Sequence, residues 1–195
     1  MKSTSPVLNT PRLYLRALGP ADLDTVMPLR GDPAAMERML EGVQDRSAAL
    51  ETLKTFEAFW STQGIGMFGV FQREDDRFIG EAGLMLRPDG LGLAVRYSFL
   101  PAARGKGYAR EAVTTIVDHA LREGGGLERV IAVLSDDNKA SQTLAEDLGF
   151  SLEQSFYRGR RKMLVYGLSA DFWHARQRLA DYLVTVKASL SGAKD

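Results

Sequence analysis

The chain has 195 residues, 45% hydrophobic and 26% charged, with 25 basic residues against 25 acidic ones. That composition fits one globular domain with a substantial core, and a zero formal charge argues against a domain-wide electrostatic footprint for nucleic acid. With no cysteine there is no disulfide framework, thiolate metal site or cysteine nucleophile; no apolar run suits a bilayer span and Met1–Pro6 lacks the apolar stretch of a signal peptide, so a cytoplasmic location without a membrane partner is expected.

Residues 7–16 alternate as a strand around Leu13 and Leu15. Asp22–Arg30 reads as a short helix, and Asp32-Pro33 opens another through Leu40. Ser47–Gln63 is a longer amphipathic helix with Leu50, Leu53, Phe56, Phe59 and Trp60 near one face, ended by Gly64-Ile-Gly66. Met67–Gln72, Phe78–Leu86 and Leu91–Leu100 read as three strands of a meander, separated by the turn chemistry of Glu74-Asp75-Asp76 and Pro88-Asp89-Gly90. Beyond Arg104–Gly107, Ala109, Ala112, Val113, Ile116, Val117, Ala120 and Leu121 follow helical spacing until Gly124-Gly125-Gly126. Arg129–Leu134 is a strand, Asn138–Leu148 a helix capped by Gly149, Ser151–Tyr157 and Lys162–Leu168 a hairpin, and Ser169–Ala188 a final helix. Strands, then a βαβ unit, then a hairpin predict a mixed α/β fold: about six to seven mostly antiparallel strands flanked by helices.

Phe99-Leu-Pro-Ala-Ala-Arg104-Gly-Lys-Gly-Tyr-Ala-Arg-Glu-Ala112 passes from an apolar strand through a glycine loop into a helix. Glycine permits close backbone approach, a helix N-terminus offers unpaired N–H groups and positive dipole character, and Arg104 and Lys106 add charge, so the loop suits a pyrophosphate. A Walker loop would need a hydroxyl where Gly107 stands, and the dinucleotide fingerprint would need a third glycine at Arg110.

Arg104-x-x-Gly107-x-Ala109 resembles the acetyl-CoA signature of the GNAT acetyltransferases. Thr10-Pro-Arg-Leu-Tyr-Leu-Arg16, Phe78-Ile-Gly-Glu-Ala-Gly83, and Asn138-Lys-Ala-Ser141 with Leu148-Gly-Phe150 are similar to stretches of its ribosomal-protein N-acetyltransferase-like branch. The resemblance covers roughly residues 7–172. It implies a single domain over 1–195 with a helical extension at about 170–190, and two central strands splayed apart to admit the donor. It also implies direct, metal-free transfer of acetyl from acetyl-CoA to a primary amine, on a protein N-terminus or a small molecule. Cofactor contacts then fall on Ser98, Phe99, Leu100, Arg104, Gly105, Lys106, Gly107, Tyr108, Ala109, Asn138 and Ser141. A backbone amide of the strand serves as oxyanion donor, and Ser141 protonates the thiolate, since Ala145 stands where many relatives carry a tyrosine.

The family's strand glutamate is missing from Ala94-Val95-Arg96-Tyr97, which leaves Glu81 on the neighbouring strand as candidate base, set against a solvent-facing charge paired with Arg96. Asp136 and Asp137 read as turn and capping residues, and His119 and His174 suggest no metal site. The basic turn Arg158–Lys162 reads as a solvated tip, with RNA or an acidic partner as the competing reading. Phe172, Trp173, Leu179, Leu183 and Val186 are expected to be buried on one side of the last helix, against the chain itself or a second copy as a homodimer. Loss of the glutamate and tyrosine keeps open a non-catalytic acyl-CoA-binding or sensor module.

Overall fold

The computed structural model describes residues 6–123 and 126–192, and the side chains of these except 122, 123 and 189–192. Gly124 and Gly125, two of the expected helix-stopping glycines, lie outside the described residues. Two compact units are present, one up to Ala120 and one from Leu121.

In the first unit, strands β1 (Val7–Asn9), β2 (Leu13–Ala17), β3 (Met67–Gln72), β4 (Phe78–Leu86) and β5 (Leu93–Phe99) pair antiparallel in chain order. The strand expected over 7–16 is thus two strands. Pro11 has no N–H for a ladder, and Thr10 and Leu13 close a turn: Thr10 N donates to the Leu13 carbonyl at 2.9 Å, and Leu13 N donates to Thr10 Oγ1 at 2.9 Å. The chain doubles back so that Val7 pairs with Arg16. This brings the strands among the described residues to eight, above the six to seven expected.

Helices α1 (Leu23–Arg30), α2 (Pro33–Met36) and α3 (Arg46–Gln63) connect β2 to β3, and α4 (Tyr108–Asp118) follows β5. Asp32 caps α2 by accepting from Ala34 N at 2.7 Å, but the helix stops at Met36, well short of Leu40. On α3, Leu53, Phe56 and Trp60 are buried as expected, whereas Leu50 and Phe59 are only partly so. Leu53 and Phe56 join Leu18, Val26, Met67 and Met85 in a core cluster. Each such side chain contributes about 1.5–3 kcal/mol by leaving water. The glycines of the Phe78–Gly83 stretch have a steric cause: a Cβ on Gly83 would lie 2.2 Å from the Gly66 carbonyl oxygen, and one on Gly80 would lie 2.4 Å from that of Ser98.

The second unit contains β6 (Arg129–Ser135), β7 (Ser151–Arg158) and β8 (Arg161–Ser169), with β8 antiparallel to both of the others. Helix α5 (Lys139–Leu148) follows β6, and α6 (Ala170–Gly192) follows β8. Trp173 is buried, but Phe172, Leu179 and Leu183 are 52%, 59% and 49% exposed, so the expected burial of these three fails. Helical spacing makes a stripe without supplying a surface to cover it. Among the described residues no helix is long and apolar enough to cross a membrane.

Candidate functional site

The glycine loop opens after a short 3-10 turn at Pro101–Ala103. Gly105 and Gly107 hold φ of +74° and +79°, in the left-handed region that side chains resist. Gly107 is the N-cap of α4 and has no side chain to cap it; the first intrahelical bond runs from Glu111 N to the Gly107 carbonyl at 3.1 Å. The Tyr108, Ala109 and Arg110 amides precede that bond at the positive end of the helix dipole. A Cβ on Gly105 would meet nothing within 4 Å, so the backbone there is open to an approaching group, and Lys106 beside it is exposed. These donors fit a phosphate.

Arg104 is committed in part to the protein itself. Its Nε donates to the Phe99 carbonyl at 3.1 Å and its Nη2 to the Ala34 carbonyl at 2.7 Å, so it braces the loop against the end of β5 and the start of α2. The strand end is similarly engaged. Ser98 Oγ donates to the Ala35 carbonyl at 2.7 Å, and Leu100 N to the Ile79 carbonyl at 2.9 Å.

Glu81 is fully buried, and both its oxygens accept from Arg30 Nη2 at 2.8 Å. Nothing local in the sequence marks this pair, whose members stand 51 positions apart. Arg96 binds Glu41 instead, which removes the solvent-facing Glu81–Arg96 alternative. It equally leaves Glu81 without the open carboxylate that a base facing solvent or an amine requires. Arg30 Nη1 donates to Gln44 Oε1 at 2.6 Å, its guanidinium lies 5.1 Å from the Phe56 ring centroid, and its Nε lacks a partner. Burial pushes the Glu81 carboxyl up, opposed by the Arg30 charge. For Glu41, burial also raises the carboxyl, but the hydrogen bond and charge of Arg96 outweigh it and hold the group below its ordinary value. Phe56 and Trp60 are buried core residues.

Asn138 and Ser141 belong to the second unit. Asn138 caps α5, with its Oδ1 accepting from Ser141 N at 3.3 Å. Ser141 is half-buried in the first turn. Asp137 accepts from Ser135 Oγ, and the Asp136 carbonyl from Gln142 Nε2 at 2.9 Å, so both aspartates hold the β6–α5 turn. Ala145, where the resemblance would place a tyrosine, is buried. The His174 ring bonds the Leu121 carbonyl at 3.0 Å, and no group of three or more His, Asp or Glu side chains among the described residues could hold a metal.

Two more residues at the loop escape a reading of the sequence. Arg12 pairs with Glu111 on the first turn of α4, with Nη2 2.6 Å from Oε2, and its Nη1 donates to the Lys106 carbonyl at 2.9 Å. The available signal is the Thr10–Arg16 motif itself, which marks a strand without saying what its Arg12 touches.

The uncharacterized N-acetyltransferase YoaA of Bacillus subtilis (strain 168) is 27% identical over 150 residues, 76% of this chain and 84% of that protein. The uncharacterized N-acetyltransferase p20 of Bacillus licheniformis is 27% identical over 176 residues, 89% of this chain and 91% of that one. An acetyltransferase structure from Agrobacterium tumefaciens str. C58 superposes with a TM-score of 0.73 at 25% identity, covering 86% of this chain and 96% of that one. The ribosomal L7/L12 alpha-N-protein acetyltransferase RimL, solved in complex with coenzyme A, gives a TM-score of 0.74 at 17% identity, covering 86% and 99%, a likeness of fold. The family model described as Acetyltransferase (GNAT) domain matches residues 12–151. That match runs from the residue before β2 to the first residue of β7, and the chain belongs to the GNAT acetyltransferase family.

Proposed function

We propose that this protein transfers acetyl from acetyl-CoA to the α-amine of a protein or peptide N-terminus. The observation that carries the donor is the pair of left-handed glycines at the side-chain-free N-cap of α4. The amides from Arg104 to Ala109 with Lys106 would hold the pyrophosphate, and the strand end at Ser98–Leu100 the pantetheine arm. Acetyl-CoA supplies an activated thioester, so the chain needs only to orient it, admit a free amine and assist the thiolate. The unprotonated amine nitrogen bonds to the carbonyl carbon, the C–S bond breaks, the Ser141 hydroxyl gives its proton to sulfur, and the proton lost by the amine nitrogen is relayed through solvent to the Ser141 oxygen, which restores the hydroxyl.

The preference for an α-amine rests on Glu81. With both oxygens on Arg30 it enters this reading as a buried partner of that residue rather than as a base open to the amine. At pH 7.5 roughly a third of α-amines are already unprotonated, against roughly one in a thousand lysine side chains, so an α-amine needs no strong base. The RimL likeness supports the same class of acceptor. One acetyltransferase domain, spanning both compact units as the family match does, and a cytoplasmic location are parts of this reading. A second copy on the exposed stripe of α6 is another.

The test is calorimetry with acetyl-CoA against adenosine diphosphate, followed by thiol release with N-terminal peptides and with small primary amines. Micromolar binding and release with peptides support the reading. Binding without release from any amine identifies an acyl-CoA sensor. Absence of binding removes the donor assignment.

A further inference from the structure

The Thr10-Pro-Arg12 turn converges on α4. Thr10 Oγ1 and Arg12 N (2.9 Å) donate to one oxygen of Glu111, and Arg12 Nε donates to the other at 2.7 Å. The third edge of the guanidinium, Nη1, takes the Lys106 carbonyl at 2.9 Å, and its face lies 4.7 Å from the Tyr108 ring centroid. Tyr108 is fixed in turn by Gln72 Nε2, which donates to its hydroxyl at 2.9 Å.

Two consequences follow from elementary chemistry. A carboxylate in the first turn of a helix competes with an anion for the same positive end, and here Arg12 neutralises it; the Glu111 side chain is 15% exposed and that of Arg12 is 50%. The peptide bond is planar and trans, with C=O and N–H pointing opposite ways. The Lys106 carbonyl shares its peptide unit with Gly107 N–H, so holding that carbonyl turns the Gly107 N–H away from Arg12.

We propose that Arg12 is a positioning residue for the donor: through Glu111 and the Lys106 carbonyl it sets the loop conformation that receives the pyrophosphate of acetyl-CoA. This rests on the acetyl-CoA reading above. A lysine, being a point donor rather than a planar fork, cannot make both contacts.

The experiment compares wild type, Arg12→Ala and Arg12→Lys with two donors, acetyl-CoA and S-acetylpantetheine, which lacks the pyrophosphate. The expected result is a rise in KM for acetyl-CoA of about tenfold or more, the scale of one lost charge-assisted hydrogen bond, with kcat within about twofold and kcat/KM for S-acetylpantetheine unchanged. An unchanged KM, or an equal loss with both donors as general loosening would give, overturns the proposal. The amide resonances of Gly105 and Gly107, measured without ligand, should move in Arg12→Lys while those of Gly64 and Gly149 stay. Unmoved loop resonances overturn it regardless of activity. A wild type that binds neither donor overturns the function reading itself and this role with it, even where the loop resonances move.

Discussion

Replacing Glu81 by Gln tests the most heavily buried charge pair in the first unit. Glu81 and Arg30 have side chains 0% and 1% exposed. Glutamine keeps one oxygen to accept from Arg30 Nη2 but places an NH2 group where the second oxygen stood, and it leaves the guanidinium uncompensated. Gln44 and the Phe56 face remain as partners, while Nε has none in the native protein. Breaking a buried pair from one side costs about 3–5 kcal/mol. At about 2–4 °C per kcal/mol for a chain of this size, Tm should fall by roughly 6–20 °C. The double variant Arg30→Met/Glu81→Leu removes both charges and should recover most of that loss. Thermal and urea unfolding followed by circular dichroism read both. A fall below about 2 °C in Glu81→Gln, or a double variant no more stable than the single one, would refute the reasoning. The same variant bears on the base question: without a base role kcat/KM should rise over the same pH range as in wild type, and a rise displaced to higher pH in the variant would restore Glu81 as the base.

Gly107→Val should lower acetyl-CoA affinity at least about tenfold, since a branched residue at φ +79° is strained by about 1–2 kcal/mol and its Cβ would lie 3.4 Å from Arg12 Nη2. Calorimetry on the folded variant checks this, and retained affinity would count against the phosphate loop. Ser141→Ala should reduce kcat with little change in KM for acetyl-CoA, whereas a role confined to the α5 cap would leave kcat intact; steady-state kinetics decide. At Glu111, burial raises the carboxyl, but bonds from Thr10 and Arg12 outweigh it and lower its pKa on folding. The stabilisation is therefore present above the unfolded carboxylate value and lost as pH falls through the folded one. Wild type should lose Tm between about pH 5 and pH 3 more steeply than Glu111→Gln, and parallel profiles would remove the linkage.

Elements whose determinants are local were legible in the sequence. The spacing of Ala112, Val113, Ile116 and Val117 gave α4, and Asn138 and Gly149 bracketed α5. The glycine loop was readable because positive φ and close backbone approach leave few residue types other than glycine at positions 105 and 107. What depended on distant partners was not. Arg30 reads only as the last residue of a short helix, because nothing local announces a carboxylate 51 positions away. Arg104 read as a free charge, yet its guanidinium reaches back to Phe99 and Ala34. The α6 stripe read as buried because amphipathic spacing looks the same whether or not something covers it.

The Arg104 contacts have an evolutionary consequence. One guanidinium spans the end of β5 and the first turn of α2, and Ser98 adds a second tie to that turn through Ala35. Substitutions around Ala34 and Ala35 are therefore epistatic with substitutions in the loop, since residues sharing a hydrogen-bonded partner do not act additively. A lineage drifting toward a new acceptor through changes at α2 would have to alter its donor loop in the same steps, or keep Arg104 and leave that part of its backbone as it is.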